Sequence, residues 1–447
     1  MKNFWADRFA AILKLSDLEI EGRIRVPGAV VQGLHDLPAS SAVERLRKAL
    51  QAIYEPTPSG IDAIRRVLGR AHGHALVRYP SIESFTLGMY ADKLDFEPLP
   101  ATCITGMAGL GKSQLIEAMW RLLPGPSTLK LPDGTEVPLI AGASFKIEQK
   151  SSPAAVGAAL YRALGVGAED RAPKAIKPEA LRKRCYVRGG CFAIADEMQF
   201  MTSSADANAL ATKVLLSLTY LGVPATYVAN FSLLHRLIRR NHEERQRLLT
   251  DVIRLDPESP DSPAMIAMLK GWCDVADGAF GFDPAKAAER FDAFSGGSRR
   301  AMRELPIISY RRKRERSPKS KAVVLSMADL EATYLSQEFA VFRRDAEMLL
   351  QQRVTGKMAD KTRKDLWCPI QPVVQAKNVG QANAERELQG KVDAQILKGS
   401  MTPAEVKGVA EIERAFNPAG NAAVEAKNPR RKSAKITLAG MLARVRT

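Results

Sequence analysis

The chain has 447 residues, 46% hydrophobic and 26% charged; these ordinary globular values exclude collagen-like, mucin-like and wholly disordered classes. Lys and Arg total 66 against 49 Asp and Glu, a net charge of +17. The excess is uneven: residues 1–305 carry 39 basic and 34 acidic side chains, residues 306–447 carry 27 and 15, and a basic C-terminal third points to nucleic acid or an acidic partner surface. Cys103, Cys185, Cys191, Cys273 and Cys368 are scattered without a CxxC pair. With five dispersed histidines they form no zinc pattern and no disulfide framework, so a reducing cytosol is expected. No apolar run approaches the roughly 18 residues of a membrane span, and Asp7 and Arg8 interrupt any leader-like core at 1–15.

In chain order, residues 1–95 mix short apolar clusters with Pro, Gly and charge. Helical spacing is clearest at 41–54, where Val43, Leu46, Leu50 and Ile53 share a face, and at 61–68, with a Pro-rich turn at 55–60 between them. From about 98 the pattern alternates. Strands are expected at 101–105, 143–147, 191–195, 225–229 and 252–255, and helices at 112–123, 153–164, 206–221 and 231–239. Pro132-Asp-Gly134 sets a hairpin between 128–131 and 136–140. Alternating strands and helices imply parallel βαβ units, hence a three-layer α/β sandwich. Helices at 262–275, 284–291 and 299–304 without intervening strands suit a small helical lid, and 326–352 reads as one further long helix. Residues 353–447 are polar, with few aromatics, and read as weakly folded or extended.

Gly106-Met-Ala-Gly-Leu-Gly-Lys-Ser113 fits G-x-x-x-x-G-K-[ST] between an expected strand and an expected helix. Gly106, Gly109 and Gly111 let the loop curl so that successive N–H groups face phosphate, and the helix N-terminus adds positive potential. Lys112 would neutralise the β/γ-phosphates of ATP, and Ser113 would ligate Mg²⁺. About 80 residues on, an apolar strand ends in Asp196 and Glu197. Asp196 suits the same Mg²⁺ and Glu197 the polarisation of an attacking water. Asn230, closing the strand 225–229, is placed either to orient that water or to cap the following helix. Arg299, after Ser295-Gly-Gly-Ser298, opens a lid helix and is either a second phosphate contact or a surface residue.

The order of these elements resembles that of AAA+ ATPases, and more closely the TnsC/TniB ATPases that regulate bacterial DNA transposition. The resemblance is carried by 106–113, by 194–199 (Ile-Ala-Asp-Glu-Met-Gln) and by 221–224 (Leu-Gly-Val-Pro) leading into the next strand. Phe200 stands where that family has histidine. Arg25-Val-Pro27 and Leu37-Pro38 resemble the lead-in of longer TnsC members, so the likeness covers roughly 20–305. It implies an AAA+ P-loop three-layer sandwich with a parallel sheet, a small helical lid, a helical N-terminal extension and a long basic C-terminal tail. The corresponding divisions are 1–95, 96–258, 259–352 and 353–447.

The resemblance also implies a cytoplasmic, nucleoid-associated ATPase that uses ATP and Mg²⁺. Such a protein assembles as rings or filaments on duplex DNA and dissolves them by hydrolysis. It links a TnsD/TniQ-type targeting protein to the transposase and a TnsA-type endonuclease. A neighbouring subunit's arginine would complete the site, Arg245 being the first match and Arg247 the second. DNA contacts would be to phosphates, with Lys146, Lys150, Arg182, Lys183 and Arg184 as candidates. The apolar cluster in 435–447 would be a docking peptide. A helicase loader or replication initiator is the alternative, and a P-loop small-molecule kinase a further one; the adjacent Asp196 and Glu197 favour hydrolysis over transfer.

Overall fold

The computed structural model describes residues 3–94, 96–147, 153–165, 178–198, 207–317 and 322–370. All of them fall in one compact unit, Met1–Gln371; a second unit, Pro372–Thr447, lies outside the described residues, as do Lys150, Phe200 and the 435–447 cluster.

Five helices precede the first strand: α1 Phe4–Leu13, α2 Asp17–Ile24, α3 Ala39–Ala52, α4 Pro58–Arg78 and α5 Ile82–Tyr90. Four of them start on a side-chain cap (Asn3, Ser16, Thr57 and Ser81), which satisfies an otherwise orphaned backbone N–H. Residues 61–68 are one part of the 21-residue α4. Gly69 and Gly73 dilute its apolar pattern, yet a Cβ at either would meet nothing within 4 Å; the helix continues because Ala71 and Ala75 still bury their face.

The alternating region folds as β1 Thr102–Thr105, α6 Lys112–Leu122, β2 Ser127–Lys130, β3 Glu136–Leu139, β4 Ala143–Lys146, α7 Pro153–Ala163, α8 Pro178–Val187, β5 Ala193–Asp196, α9 Ala207–Thr219, β6 Ala225–Ala229, α10 Phe231–Leu237, α11 His242–Leu249 and β7 Asp251–Arg254. Five strands form a parallel sheet in the order β4-β5-β6-β1-β7, while β2 and β3 pair antiparallel as a separate hairpin. Strands β1, β5 and β6 are buried along their whole length, as expected of parallel strands covered on both faces. The chain order reverses around β1, so the C-terminal ends of β1, β5 and β6 open onto one crevice, the usual ligand position in such sheets.

The lid comprises α12 Pro263–Val275, α13 Pro284–Ser295, α14 Arg299–Arg316, α15 Met327–Tyr334 and α16 Ala340–Thr355. Sequence reading stops α14 near 304, before Pro306, but the helix runs through it. Buried Leu305, Ile307, Ile308 and Tyr310 offset the lost backbone bond. The single helix expected at 326–352 is instead α15 and α16, separated by a 3₁₀ turn at Gln337–Phe339 that buries Phe339 completely.

Two apolar cores result. Trp5 and Phe9 of α1 and Ile64 and Leu68 of α4 join the sheet residues in one. Leu46 and Leu50 of α3 join Met268, Trp272 and Leu305 of the lid in the other. The N-terminal helices are thus shared between the two cores. After α16 the chain returns to the sheet side: Cys368 enters the first core, Ile370 packs against it, and the Trp367 carbonyl lies 2.9 Å from His235 Nε2 on α10.

Candidate active site

Gly109 (φ 84°) and Gly111 (φ 88°) hold the loop between β1 and α6 in left-handed conformations that favour glycine. Gly109 is closely approached as well: a Cβ there would lie 2.8 Å from Arg300 Cβ and 2.9 Å from Ser298 Oγ. The lid is therefore seated directly on the loop, with the Arg300 backbone N–H donating to the Gly109 carbonyl at 3.2 Å.

Lys112 opens α6 and donates through Nζ to the carbonyls of Gly106 and Met107, both at 2.8 Å. Burial pulls its ammonium down to about 8, against the countering charges of Glu197 and Asp196. Ser113 Oγ donates to Asp196 Oδ2 at 2.7 Å, joining the start of α6 to the end of β5. Asp196 is 2% exposed and also accepts the Glu197 backbone N–H at 2.8 Å. Glu197 adopts φ 60°, a conformation costing a non-glycine residue on the order of 1 kcal/mol, of the kind that clusters at functional sites.

Asn230 follows β6 at the N-cap position of α10, but its side chain does not cap the helix. Its Oδ1 instead accepts from Ser232 Oγ at 2.5 Å. Lys112, Ser113, Asp196, Glu197, Asn230 and Arg300 line one cleft of about 400 Å³, a size that accommodates a small ligand.

Arg299 lines this cleft and an adjoining pocket that Tyr54, Gly60, Leu115, Met265 and Met268 also line. Its guanidinium is buried, which lowers its basicity, and Nη1 reaches the Glu55 carbonyl at 3.5 Å. Sequence reasoning missed Arg300 and Arg303, which line the cleft from the same helix. Arg303 Nε is buried without a hydrogen-bond partner among the described residues. The signal was present: positions 299 and 303 are one turn apart and share a helix face.

Other sequence candidates sit elsewhere. Arg245 is exposed on α11 and does not line the cleft; Arg247 is engaged with Tyr220 Oη and, at 2.8 Å, with Glu243. Lys146 ends β4 in the open, 3.9 Å from Glu117. The three cations of α8 are spent inside the fold. Arg182 lies over the Phe96 ring at 3.2 Å and donates to the Tyr220 carbonyl at 3.1 Å. Lys183 donates to the carbonyls of Gly88 and Ala91. Arg184 stacks on Tyr161 at 4.1 Å and donates to its hydroxyl at 2.7 Å.

The donor set suits one hard divalent cation sparingly. A hydroxyl and a carboxylate, Ser113 and Asp196, converge within hydrogen-bond distance, and no group of three or more His, Cys, Asp or Glu side chains gathers as a metal cage among the described residues. Two protein oxygens, with the remaining positions left to water and phosphate, is the pattern Mg²⁺ prefers.

No protein-family model and no curated protein matches the chain. Among solved structures it is similar to the Aeropyrum pernix Orc1 protein in complex with DNA, at 14% identity and a TM-score of 0.36 over 75% of this chain and 84% of that one. It is also similar to domain III of the Thermotoga maritima replication initiation protein DnaA, at 13% identity and a TM-score of 0.33 over 62% and 92%. C. elegans PCH-2 gives 14% and 0.31 over 65% and 74%. Likenesses this loose carry no argument about function. The fold stands on the chain's own features: a five-stranded parallel sheet in the order β4-β5-β6-β1-β7, a glycine loop between β1 and α6, and a helical lid seated on that loop. No helix among the described residues is long and apolar enough to cross a membrane.

Proposed function

We propose that this chain binds and hydrolyses ATP with Mg²⁺, and that it uses the cycle to regulate DNA transposition as TnsC/TniB-type proteins do. The observation that carries the ATPase reading is the convergence of Lys112, Ser113, Asp196, Glu197 and Asn230 on the cleft at the ends of β1, β5 and β6. The glycine loop and the α6 N-terminus hold the phosphates, and Lys112 exchanges its two loop carbonyls for phosphate oxygens. Arg300, near enough for its charge to act on Lys112, adds a second cation from the lid, where charge accumulates on the transferring group. Tyr54, Gly60, Met265 and Met268, with the polar Thr57, Asp256 and Glu258, line a small adjoining pocket that we assign to the base.

Glu197 accepts a proton from water as that water attacks the γ-phosphorus, and Asn230 fixes the water's orientation. Ser113 and Asp196 would hold Mg²⁺, which when bound neutralises charge on the phosphate oxygens. Glu197, held at φ 60°, lines the cleft from the end of β5.

The transposition reading rests on the 194–199 and 221–224 motifs beside the P-loop, together with the +12 of residues 306–447. On that reading the protein forms rings or filaments on duplex DNA, with Arg245 donated across the subunit boundary. Lys146 and Lys150 are then the DNA contacts that remain once the α8 cations are assigned to internal partners, and the tail recruits transposase and endonuclease. Negative-stain images of the full chain with duplex DNA and a non-hydrolysable ATP analogue test it. Rings or filaments that need both are expected; their absence, with ATP binding intact, would leave an ATPase of another kind.

A further inference from the structure

The segment joining α3 to α4 is the place where both cores, the P-loop helix and the lid meet, and three arginines converge on it. Val26 and Tyr54 exchange backbone hydrogen bonds at 2.9 and 3.0 Å, pinning the end of α3 beside the end of α2. Arg121 of α6 donates to the Ile24 carbonyl at 2.9 Å, and its guanidinium lies 5.7 Å from the Tyr54 ring centre. Arg299 of the lid reaches the Glu55 carbonyl. Arg25 holds the Glu55 carboxylate in a fork, with Nε at 3.1 and 3.0 Å from its two oxygens and Nη2 at 2.6 Å from Oε1. Glu55 is only 7% exposed although it is a carboxylate, so the fork is what makes its burial tolerable.

We infer that the Arg25–Glu55 fork is a positioning device for the base half of the nucleotide site. This rests on the reading of the cleft as an ATP site. The fork touches neither the phosphate loop nor the Asp196–Glu197 carboxylates. It fixes the two residues that do matter to the base pocket: Tyr54, which forms its wall, and the Glu55 carbonyl, which anchors Arg299 where the pocket meets the cleft. Breaking the fork from the Arg25 side leaves a buried glutamate without its counter-charge, and from the Glu55 side leaves Arg25 facing a neutral amide; in either case the segment at 53–57 loses its charged clamp and shifts. The phosphate half, held by Gly109, Gly111, Lys112 and Ser113, stays as it is. The fork therefore acts on how tightly the base is grasped and not on the chemistry at the γ-phosphate.

The experiment compares binding of ATP and of inorganic tripolyphosphate, which has the phosphates without the base, by calorimetry on the full chain. In the unaltered protein both bind, and Lys112→Ala loses both; failure of the unaltered protein to bind either would overturn the ATP reading itself. Glu55→Gln should weaken ATP on the order of tenfold while leaving tripolyphosphate unchanged, with KM raised and kcat held. The charge swap Arg25→Glu with Glu55→Arg should restore part of the loss. Equal weakening of both ligands, or of neither, would overturn the positioning role with the ATP reading intact. If Glu55→Gln does not fold, Arg25→Lys keeps the charge, loses the fork and supplies the same comparison.

Discussion

Two basic runs on helices, Arg182-Lys183-Arg184 on α8 and Arg299-Arg300 with Arg303 on α14, look alike in the sequence and differ in every physical respect. On α8 each cation has a carbonyl or an aromatic ring of its own fold to hold. On α14 the arginines crowd a cleft already containing Lys112; Arg300 has no ion pair among the described residues, and the nearest carboxylate to Arg303 is its neighbour Glu304 at 3.8 Å. Lys112 and the three arginines outnumber the two carboxylates of the cleft, Asp196 and Glu197; the surplus of like charge raises the free energy of the protein alone, and a polyanion relieves it. On α8 the Arg78 charge also acts against Arg182, but Glu179 counters it and each cation keeps a partner of its own. Counting charge along the chain cannot separate the two; counting partners does.

The contrast can be broken from either side. At the cleft, Glu197→Gln should lower ATP hydrolysis by roughly a hundred- to a thousandfold with nucleotide binding retained, measured as phosphate release beside equilibrium binding. An unchanged rate would remove Glu197 from the chemistry. Arg300→Ala should cost about ten- to a hundredfold in kcat, with little change in melting temperature. Arg182→Ala should do the reverse: the rate stays, and lost stacking on Phe96 with the lost bond to Tyr220 destabilises the fold by about 1–2 kcal/mol, seen as earlier thermal unfolding. If Arg182→Ala altered the rate and Arg300→Ala only the stability, the assignment of the two runs would be inverted.

Lys112 sharpens the same point through pH. Its ammonium is lowered to about 8 in the fold from an ordinary 10.5. Between those values the unfolded chain binds the proton more tightly, so Lys112 opposes folding at neutral pH, and that penalty fades as pH rises from 8 to 10.5. Lys112→Met should therefore melt higher at pH 7, by roughly 2 °C, and the gap should narrow towards pH 10 in calorimetric scans. The smallest effect is expected at the sheet edge. Lys146→Ala should weaken duplex DNA binding a few-fold and reduce the salt slope by about one.

The sheet strands and most helices of the core were legible because period, glycine loop and capping are local. Even there boundaries slipped: Cys191 and Phe192 precede β5, although their backbones already bond Ala141 and Ala143 beside β4. Helices α1, α2, α5 and α8 were not legible. Helix α8, Pro-Glu-Ala-Leu-Arg-Lys-Arg-Cys-Tyr-Val, buries only Leu181, Cys185 and Tyr186, and its cations hide the stripe. Within the site, the loop and the two carboxylates were visible as motifs, whereas Arg300, Arg303, Tyr54 and Glu55 reach the cleft and pocket only through the folding of α3 and the lid. No spacing rule joins residue 55 to residue 299.

Trp5, near the start of the chain, stacks on Tyr79, Phe9 meets Phe192 edge-on, and Arg8 donates to the Gly189 carbonyl across 181 residues. At roughly 5–20 residues per second on the ribosome, the α1 face waits about ten to forty seconds for Gly189 and Phe192 to be synthesised. Throughout that interval the Trp5 indole already has Tyr79 and Phe85 to pack on, whereas the Phe9 ring lacks Phe192. Slower translation lengthens the time for which that half of the α1 face stays uncovered, well before ATP enters the account.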